Sequence, residues 1–377
     1  MTRYDICVIG AGIAGLSLAA RLAEHASVLV VEAESAPGYH ASGRSVAFAH
    51  FGLGERVVRT LTALSLEELA ADPSDDRARP AEVHSALHIA SRAELSALDA
   101  LEKVHRDFGC DFERLSGEEA AEIAPALKIG PEHCHSAILD HGSLKLDADA
   151  MLQGHVRDIR AHGGRLEFSS AVRKIARAGE DWVIDTESDS FSAPILINAA
   201  GAWADAVAGM IGARPIGIEP RRRTVISFSG PEGSNVSHWP FVKTVGAGFY
   251  MLPEGAGQLL ASPMDEGASE PCDAAPEEFD IATIAHRIEE ATRLKVARIT
   301  HSWAGLRSFA RDELPVVGFA KDAPGFFWCA GQGGAGFQTS PALSRIGEVL
   351  VRGEEWPGEL AAQGLTPALF SPARLSA

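Results

Sequence analysis

The spacing of apolar residues divides the chain into segments of two kinds. Asp5 to Ile9 and Ser27 to Val31 are short, nearly unbroken apolar runs, and from Leu16 to about His25 the apolar positions recur at helical spacing. Short runs bounded by turn residues read as buried strands and the stretch between them as a helix. The order strand, turn, helix, strand is a βαβ unit, which builds a parallel sheet. Further apolar runs at Ile195 to Ile197 and Phe326 to Ala330 each end in small residues. Helical spacing covers Glu55 to Leu69, Ala93 to Phe108 and Ala148 to Ala161, the last opened by Asp147 as N-cap and ended by Gly163 and Gly164. Asp72 to Pro80 reads as a polar loop and Glu118 to Ala124 as a short acidic helix stopped at Pro125. This block interrupts the βαβ pattern and is expected to cap the site.

Elsewhere the pattern is of strands. Arg165 to Phe168, Val172 to Ala176 and Trp182 to Thr186 are short strands; Arg221 to Phe228, Phe249 to Leu252 and Gln258 to Ser262, parted by Gly- and Pro-rich turns, predict a mostly antiparallel sheet. A helix through Ile281, Ile284, Ala285 and Ile288 packs on it. Alternation puts Arg222 on one face with Thr224, Ile226 and Phe228, and Arg221 and Arg223 on the other. An arginine on an apolar face needs an anion, either a ligand or an internal carboxylate.

The turn after the first strand carries the first chemistry. In Gly10, Ala11, Gly12, Ile13, Ala14 and Gly15, Gly10 permits a sharp turn off the strand and Gly12 leaves room for a pyrophosphate. Gly15 lets helix and strand approach, and the phosphates rest on the helix N-terminus. Glu32, at the end of the second strand, is placed to accept hydrogen bonds from ribose hydroxyls and would repel a 2'-phosphate. The pattern by itself does not separate FAD from NAD. The fold class is therefore α/β: a Rossmann-like dinucleotide domain on a parallel central sheet (1–75, 146–214 and 306–377), with an inserted α+β substrate domain on a mostly antiparallel sheet (76–145 and 215–305).

Three later stretches extend the ligand site. The loop of small residues from Pro37 to Ser45 offers close backbone approach, with Arg44 or the Ser45 hydroxyl able to meet a phosphate or the polar edge of a flavin. Asn198 to Trp203 allows a second close approach from the same sheet. Gly331 to Gly336 precedes a helix and presents backbone N–H groups suited to negative charge, such as that on a reduced flavin. Together these make the dinucleotide FAD. Its predicted contacts are Gly10, Gly12, Ile13, Ala14, Gly15, Glu32 and Ala33; Ser42, Gly43, Arg44 and Ser45; Val172, Ala200, Gly201 and Trp203; and Gly331, Gly333, Gly334, Ala335, Gly336, Phe337, Gln338 and Thr339.

Composition narrows the partners. A net charge of −17 argues against nucleic acid and anionic membrane surfaces, and 46% apolar content with 23% charged is that of a globular chain. Five scattered cysteines without a C-x-x-C pair fit a reducing compartment, so a cytoplasmic protein is expected, or one peripheral at the inner face of the membrane, without signal peptide or transmembrane segment. His133, Cys134 and His135 with His141 lack further ligands at zinc-like spacing, so no metal is assigned.

Taken in order, Gly10 to Gly15 with Glu32, Gly43 to Ser45, Asn198 to Trp203 and Gly331 to Gly336 resemble the FAD-dependent amine oxidoreductases of the D-amino acid oxidase type, which include glycine oxidase, sarcosine oxidase and bacterial D-amino acid dehydrogenases. Pro37 to His40, Trp303 to Phe309 and Gln332 to Gly334 are most similar to bacterial D-arginine dehydrogenases. The resemblance implies that Arg307 and Arg222 grip a substrate carboxylate, with Tyr250 beside it and Gln332 in the flavin loop. His50 is a polar newcomer that either meets substrate or packs. Where the D-arginine enzymes carry a histidine, a tyrosine and a glutamate, this chain has Phe48, Leu53 and, in a loose alignment, Ala86, which implies a smaller or more apolar substrate. A flavin-side lysine would fall near Leu259 and a flavin-linking cysteine near Leu306 or Arg307. Neither is present, so the resemblance implies non-covalent FAD and a dehydrogenase more than an oxidase, with a quinone, another carrier or oxygen as acceptor. The implied reaction is hydride loss from the α-carbon of an amino acid or N-substituted amino acid, D in configuration. A 2-hydroxy acid substrate, a flavin-binding subunit without turnover and an NAD-dependent dehydrogenase are the alternatives.

Overall fold

The computed structural model describes residues 1–73, 76 and 78–375; Ser74, Asp75 and Arg77 of the polar loop, and with them the expected domain boundary at 75, lie outside the described residues. The opening βαβ unit forms the middle of a six-stranded sheet. Arg165–Glu167, Val28–Val31, Ile6–Ile9, Ile195–Asn198 and Phe326–Ala330 run parallel in that spatial order, and Val316–Phe319 adds an antiparallel edge. The inner parallel strands are almost wholly apolar because both faces are covered, whereas the edge strand Arg165–Glu167 is not. Ile6, Val8, Val28, Val30 and Ile197 pack under the helix Ile13–Ala23, which lies against Ala148–Ala161 and the long helix Gly336–Arg352. The alternate residues Cys7, Ile9, Leu29, Val31 and Leu196 meet Trp182, Ile184 and Phe191 of a four-stranded sheet on the other side.

A nine-stranded sheet makes the second body of the fold. Its order is Gln332–Gly333, Ile299–Phe309, Glu219–Ser229, Gln258–Ser262, Tyr250–Glu254, Phe241–Thr244, Ala86–Ala90, Ser136–Asp140 and Phe112–Ser116, antiparallel except where Phe241–Thr244 meets Ala86–Ala90. The helix Glu278–Ala291 packs on one face, burying Ile284 and Ile288 against Ile226 and Phe228. Sequence periodicity shows the helices of residues 76–145 but not the three strands that this stretch gives to the nine-stranded sheet. Buried His88 interrupts the apolar run of one, and charged Glu113 and Arg114 sit in another. His133 and His135 flank Cys134 in a turn closed by Cys134 N–H to Lys128 O, not on a strand face.

Candidate active site

Register explains why the separated ligand stretches meet. Ile9 pairs with Val31 and Asn198, and Asn198 with Trp328. The carboxyl ends of four adjacent parallel strands therefore lie nearly level, and directly beyond them come Gly10, Glu32, Ala199 to Gly201, and Gly331. A crevice outside such strand ends is where α/β sheets bind ligands. Two cavities of about 440 and 450 Å³ open there, and both are lined by Gly12, Ser42, Arg44, Ala199, Gly201 and Leu306. The first runs past Glu32, Ala33, Val172, Ala200 and Trp203; the second past Ile13, Ala14, Ser45, Gln332, Gly333, Gly334, Gly336 and Phe337.

Glycines at the turn are set by contact. Gly10 has φ +105°, and a Cβ there would stand 2.5 Å from Ala199 O; one on Gly15 would stand 2.1 Å from Gly10 O. Gly12 differs: its backbone is ordinary, and a Cβ would meet only the Ser42 hydroxyl, at 3.2 Å. That hydroxyl accepts a hydrogen bond from Ile13 N–H at 3.0 Å. Glu32 accepts from Ala11 N–H at 2.6 Å and Glu34 N–H at 3.0 Å, one donor per oxygen, which holds the carboxylate at the edge of the first cavity. An elongated crevice, a helix N-terminus, an uncovered Gly12 and a fixed acid at one end fit a dinucleotide.

The second cavity gathers the polar chemistry. Arg307, on Ile299–Phe309, and Arg223, on the neighbouring Glu219–Ser229, both line it with Tyr250, His50 and Lys243. Arg307 packs on the glycine run so closely that a Cβ on Gly334 would stand 2.6 Å from Nη1. Burial, then repulsion by Arg223, lowers the Arg307 guanidinium to about 10, so it stays charged at neutral pH. Its nearest carboxylate oxygen, Glu266 Oε1, is 3.9 Å away. Arg223 is compensated internally, donating to Asp265 O and Glu266 Oε1 at 2.8 Å each. Phe48, Phe241 and Tyr250 stack in sequence as an aromatic wall. His50 Nδ1 accepts from Gly52 N–H, which puts the proton of the neutral ring on Nε2, and burial followed by neighbouring cations pushes its pKa down to about 3. The ring is a neutral donor, not a base poised near pH 7.

Several expected contacts lie elsewhere. Arg222 is on the helix-covered face, paired with Glu277 and with Asp280 at 3.2 Å, so the carboxylate it needs is internal and Arg223 is the arginine in the cavity. The alternation had the faces right; the apolar face belongs to the Glu278–Ala291 helix, not to a ligand. Arg222→Met is expected to cost about 2 kcal/mol of stability, the worth of a charged hydrogen bond, with the Michaelis constant unchanged; thermal melts and steady-state kinetics check this. Arg44 donates to Ala274 O and Ala304 O at 2.8 and 3.0 Å and pairs with Asp273, tying that loop over the crevice instead of offering a free guanidinium. Gly43 and Gly15 shape turns without lining either cavity, and Gly331, Ala335, Gln338 and Thr339 stand behind the lining. Gln338 bonds Thr62 and the backbone of His50, and Thr339 bonds Ala335 O. Sequence reading missed Arg223 as a residue of the cavity wall, and it missed Lys243, whose strand is too short to show alternation.

The geometry is that of a dinucleotide crevice adjoining a cavity lined by Arg307, Arg223 and Lys243. Family comparison makes this specific: residues 5–348 match the model of the DAO family, described as FAD dependent oxidoreductase, and the chain belongs to that family. Its cofactor is FAD. The chain is 25% identical to FAD-dependent oxidoreductase domain-containing protein 1 of Mus musculus, over 93% of this chain and 81% of that protein. The Xenopus laevis protein of the same name is 28% identical, over 60% of this chain but only 46% of its own length. Glycine oxidase of Geobacillus kaustophilus is 23% identical over 97% of both chains. Among solved structures, L-proline dehydrogenase from P. horikoshii superposes with a TM-score of 0.81, at 20% identity and coverage of 100% and 98%. No helix among the described residues is long and apolar enough to cross a membrane.

Proposed function

We propose that the protein oxidises the α-carbon of an amino acid or N-substituted amino acid. The observation that carries this reading is Arg307, a charged, mostly buried guanidinium in the chamber with no carboxylate within hydrogen-bond distance among the described residues. A planar fork in that state is matched to a substrate carboxylate. FAD, when bound, would supply the acceptor for a hydride leaving the α-carbon. The resulting imino acid is hydrolysed by water to a keto acid and ammonia or an amine. Arg307 holds the carboxylate, the aromatic wall and Tyr250 exclude water and orient the side chain, and neutral His50 donates a hydrogen bond from Nε2. The cationic field of Arg307, Arg223 and Lys243 disfavours a substrate ammonium, so the amine sheds its proton to solvent on binding without a dedicated base.

The likeness to glycine oxidase and L-proline dehydrogenase supports an amino acid over a 2-hydroxy acid, and the resemblance to the D-amino acid oxidase type supports the D configuration. We read the six-stranded sheet as the FAD side and the nine-stranded sheet as the substrate side. Lack of a flavin-linking cysteine at Leu306 or Arg307 supports non-covalent FAD, with a quinone or other carrier favoured as acceptor. Ammonia or amine release during turnover with a D-amino acid, and its absence with the matching hydroxy acid, tests the reading.

A further inference from the structure

We infer that the chamber is built for a substrate with a second acidic group, the first held by Arg307 and the second by Lys243. This rests on the reading of Arg307 as the α-carboxylate anchor. Lys243 lines the same cavity, and among the described residues the one hydrogen bond of its ammonium is to the carbonyl of Thr244, at 3.0 Å. Among the described residues it forms no ion pair, whereas Arg223 in the same wall is met by Asp265 and Glu266. A mostly buried ammonium without a counter-ion is costly, and such charges are ordinarily paired. Burial, Arg223, Arg307 and Arg59 together lower its pKa to about 8, the strain that an incoming anion would relieve.

Placement argues for two anions rather than one shared between the cations. Arg307 and Lys243 come from strands of the same sheet separated by Glu219–Ser229, Gln258–Ser262 and Tyr250–Glu254. Four steps at about 4.8 Å put the strand axes about 19 Å apart, and the two long side chains close that span by reaching into one cavity, where Arg307 is near enough to bear on Lys243. Beside Lys243 stands the wall of Phe48, Phe241 and Tyr250, suited to a short methylene chain; Phe241 is on the same strand and Tyr250 is the cross-strand partner of Lys243. A dicarboxylic amino acid, or an N-carboxyalkyl one, has this chemistry. A second acidic group replaces the smaller or more apolar substrate implied by Phe48 and Leu53.

The test uses holoenzyme and non-reacting probes matched in length: pentanoate against glutarate and butanoate against succinate, with binding read from the perturbation of the flavin absorbance and from calorimetry. Wild type is expected to bind the diacid of at least one pair ten-fold or more tighter, the worth of one charged hydrogen bond at about 1.5–3 kcal/mol. Lys243→Met is expected to abolish that preference, bringing diacid affinity down to that of the matched monoacid, and Lys243→Arg to retain it. Parity within both pairs in wild type, which requires no variant to fold, overturns the inference, as does a preference that survives Lys243→Met. Arg307→Met separates the two readings: it weakens mono- and diacids alike if Arg307 is the anchor, and unchanged monoacid binding would overturn the anchor itself.

Discussion

Arg307→Met is expected to raise the Michaelis constant for the substrate by about 100-fold or more, within the cost of truncating one partner of a buried charge pair, while FAD stays bound. The prediction follows from position. The side chain enters the chamber from a strand of the nine-stranded sheet, lies against Gly334 and has its nearest carboxylate at 3.9 Å. Methionine keeps the volume and removes the fork, and the relief of repulsion on Arg223 should leave the fold no less stable. Loss of flavin from the variant would instead assign Arg307 to the cofactor loop, and an unchanged Michaelis constant would remove it from substrate binding. Steady-state kinetics beside the flavin-to-protein absorbance ratio distinguish these outcomes.

The second large effect is at Gly12. Gly12→Ala should weaken FAD binding by about 10- to 100-fold, as overpacking by one methyl costs about 1–3 kcal/mol, and yet leave the apoprotein melting normally. Its φ of −79° suits alanine, and the only neighbour a Cβ meets is a hydroxyl at 3.2 Å. Gly15→Ala provides the contrast, because its Cβ would stand 2.1 Å from a backbone oxygen and the apoprotein itself must suffer. Equal flavin affinity in Gly12→Ala and wild type would mean that the turn does not cradle the dinucleotide.

The parallel sheet was legible because strands buried on both faces announce themselves as unbroken apolar runs, and the glycines that follow them were legible because Gly10, Gly201 and Gly331 all take positive φ, with close approach to Ala199 O adding to this at Gly10. The inner lining was less so. Arg222 and Arg223 are neighbours of one type, and only the helix Glu278–Ala291, with Asp280 and its N-cap Glu277 paired to Arg222, decides which of them faces the cavity. Nothing in local pattern marks that pairing across more than 50 residues. Lys243 sits on a four-residue strand whose neighbours, Ala86–Ala90 and Tyr250–Glu254, come from opposite sides of it in sequence. Its burial is a product of the assembled sheet. Gln338 and Thr339 follow the glycine run in sequence but turn into the core, since a helix beginning at Gly336 can offer only part of its first turn to the crevice.

The most direct measurement is an anaerobic titration of the purified yellow protein with D- and L-amino acids, sarcosine, proline and 2-hydroxy acids, followed by flavin absorbance and assay of ammonia or amine. Bleaching by an amino acid or N-substituted amino acid, with keto acid and stoichiometric ammonia or amine released, is the predicted result. Bleaching by 2-hydroxy acids alone, with no nitrogen product, or by none of these compounds would contradict the account.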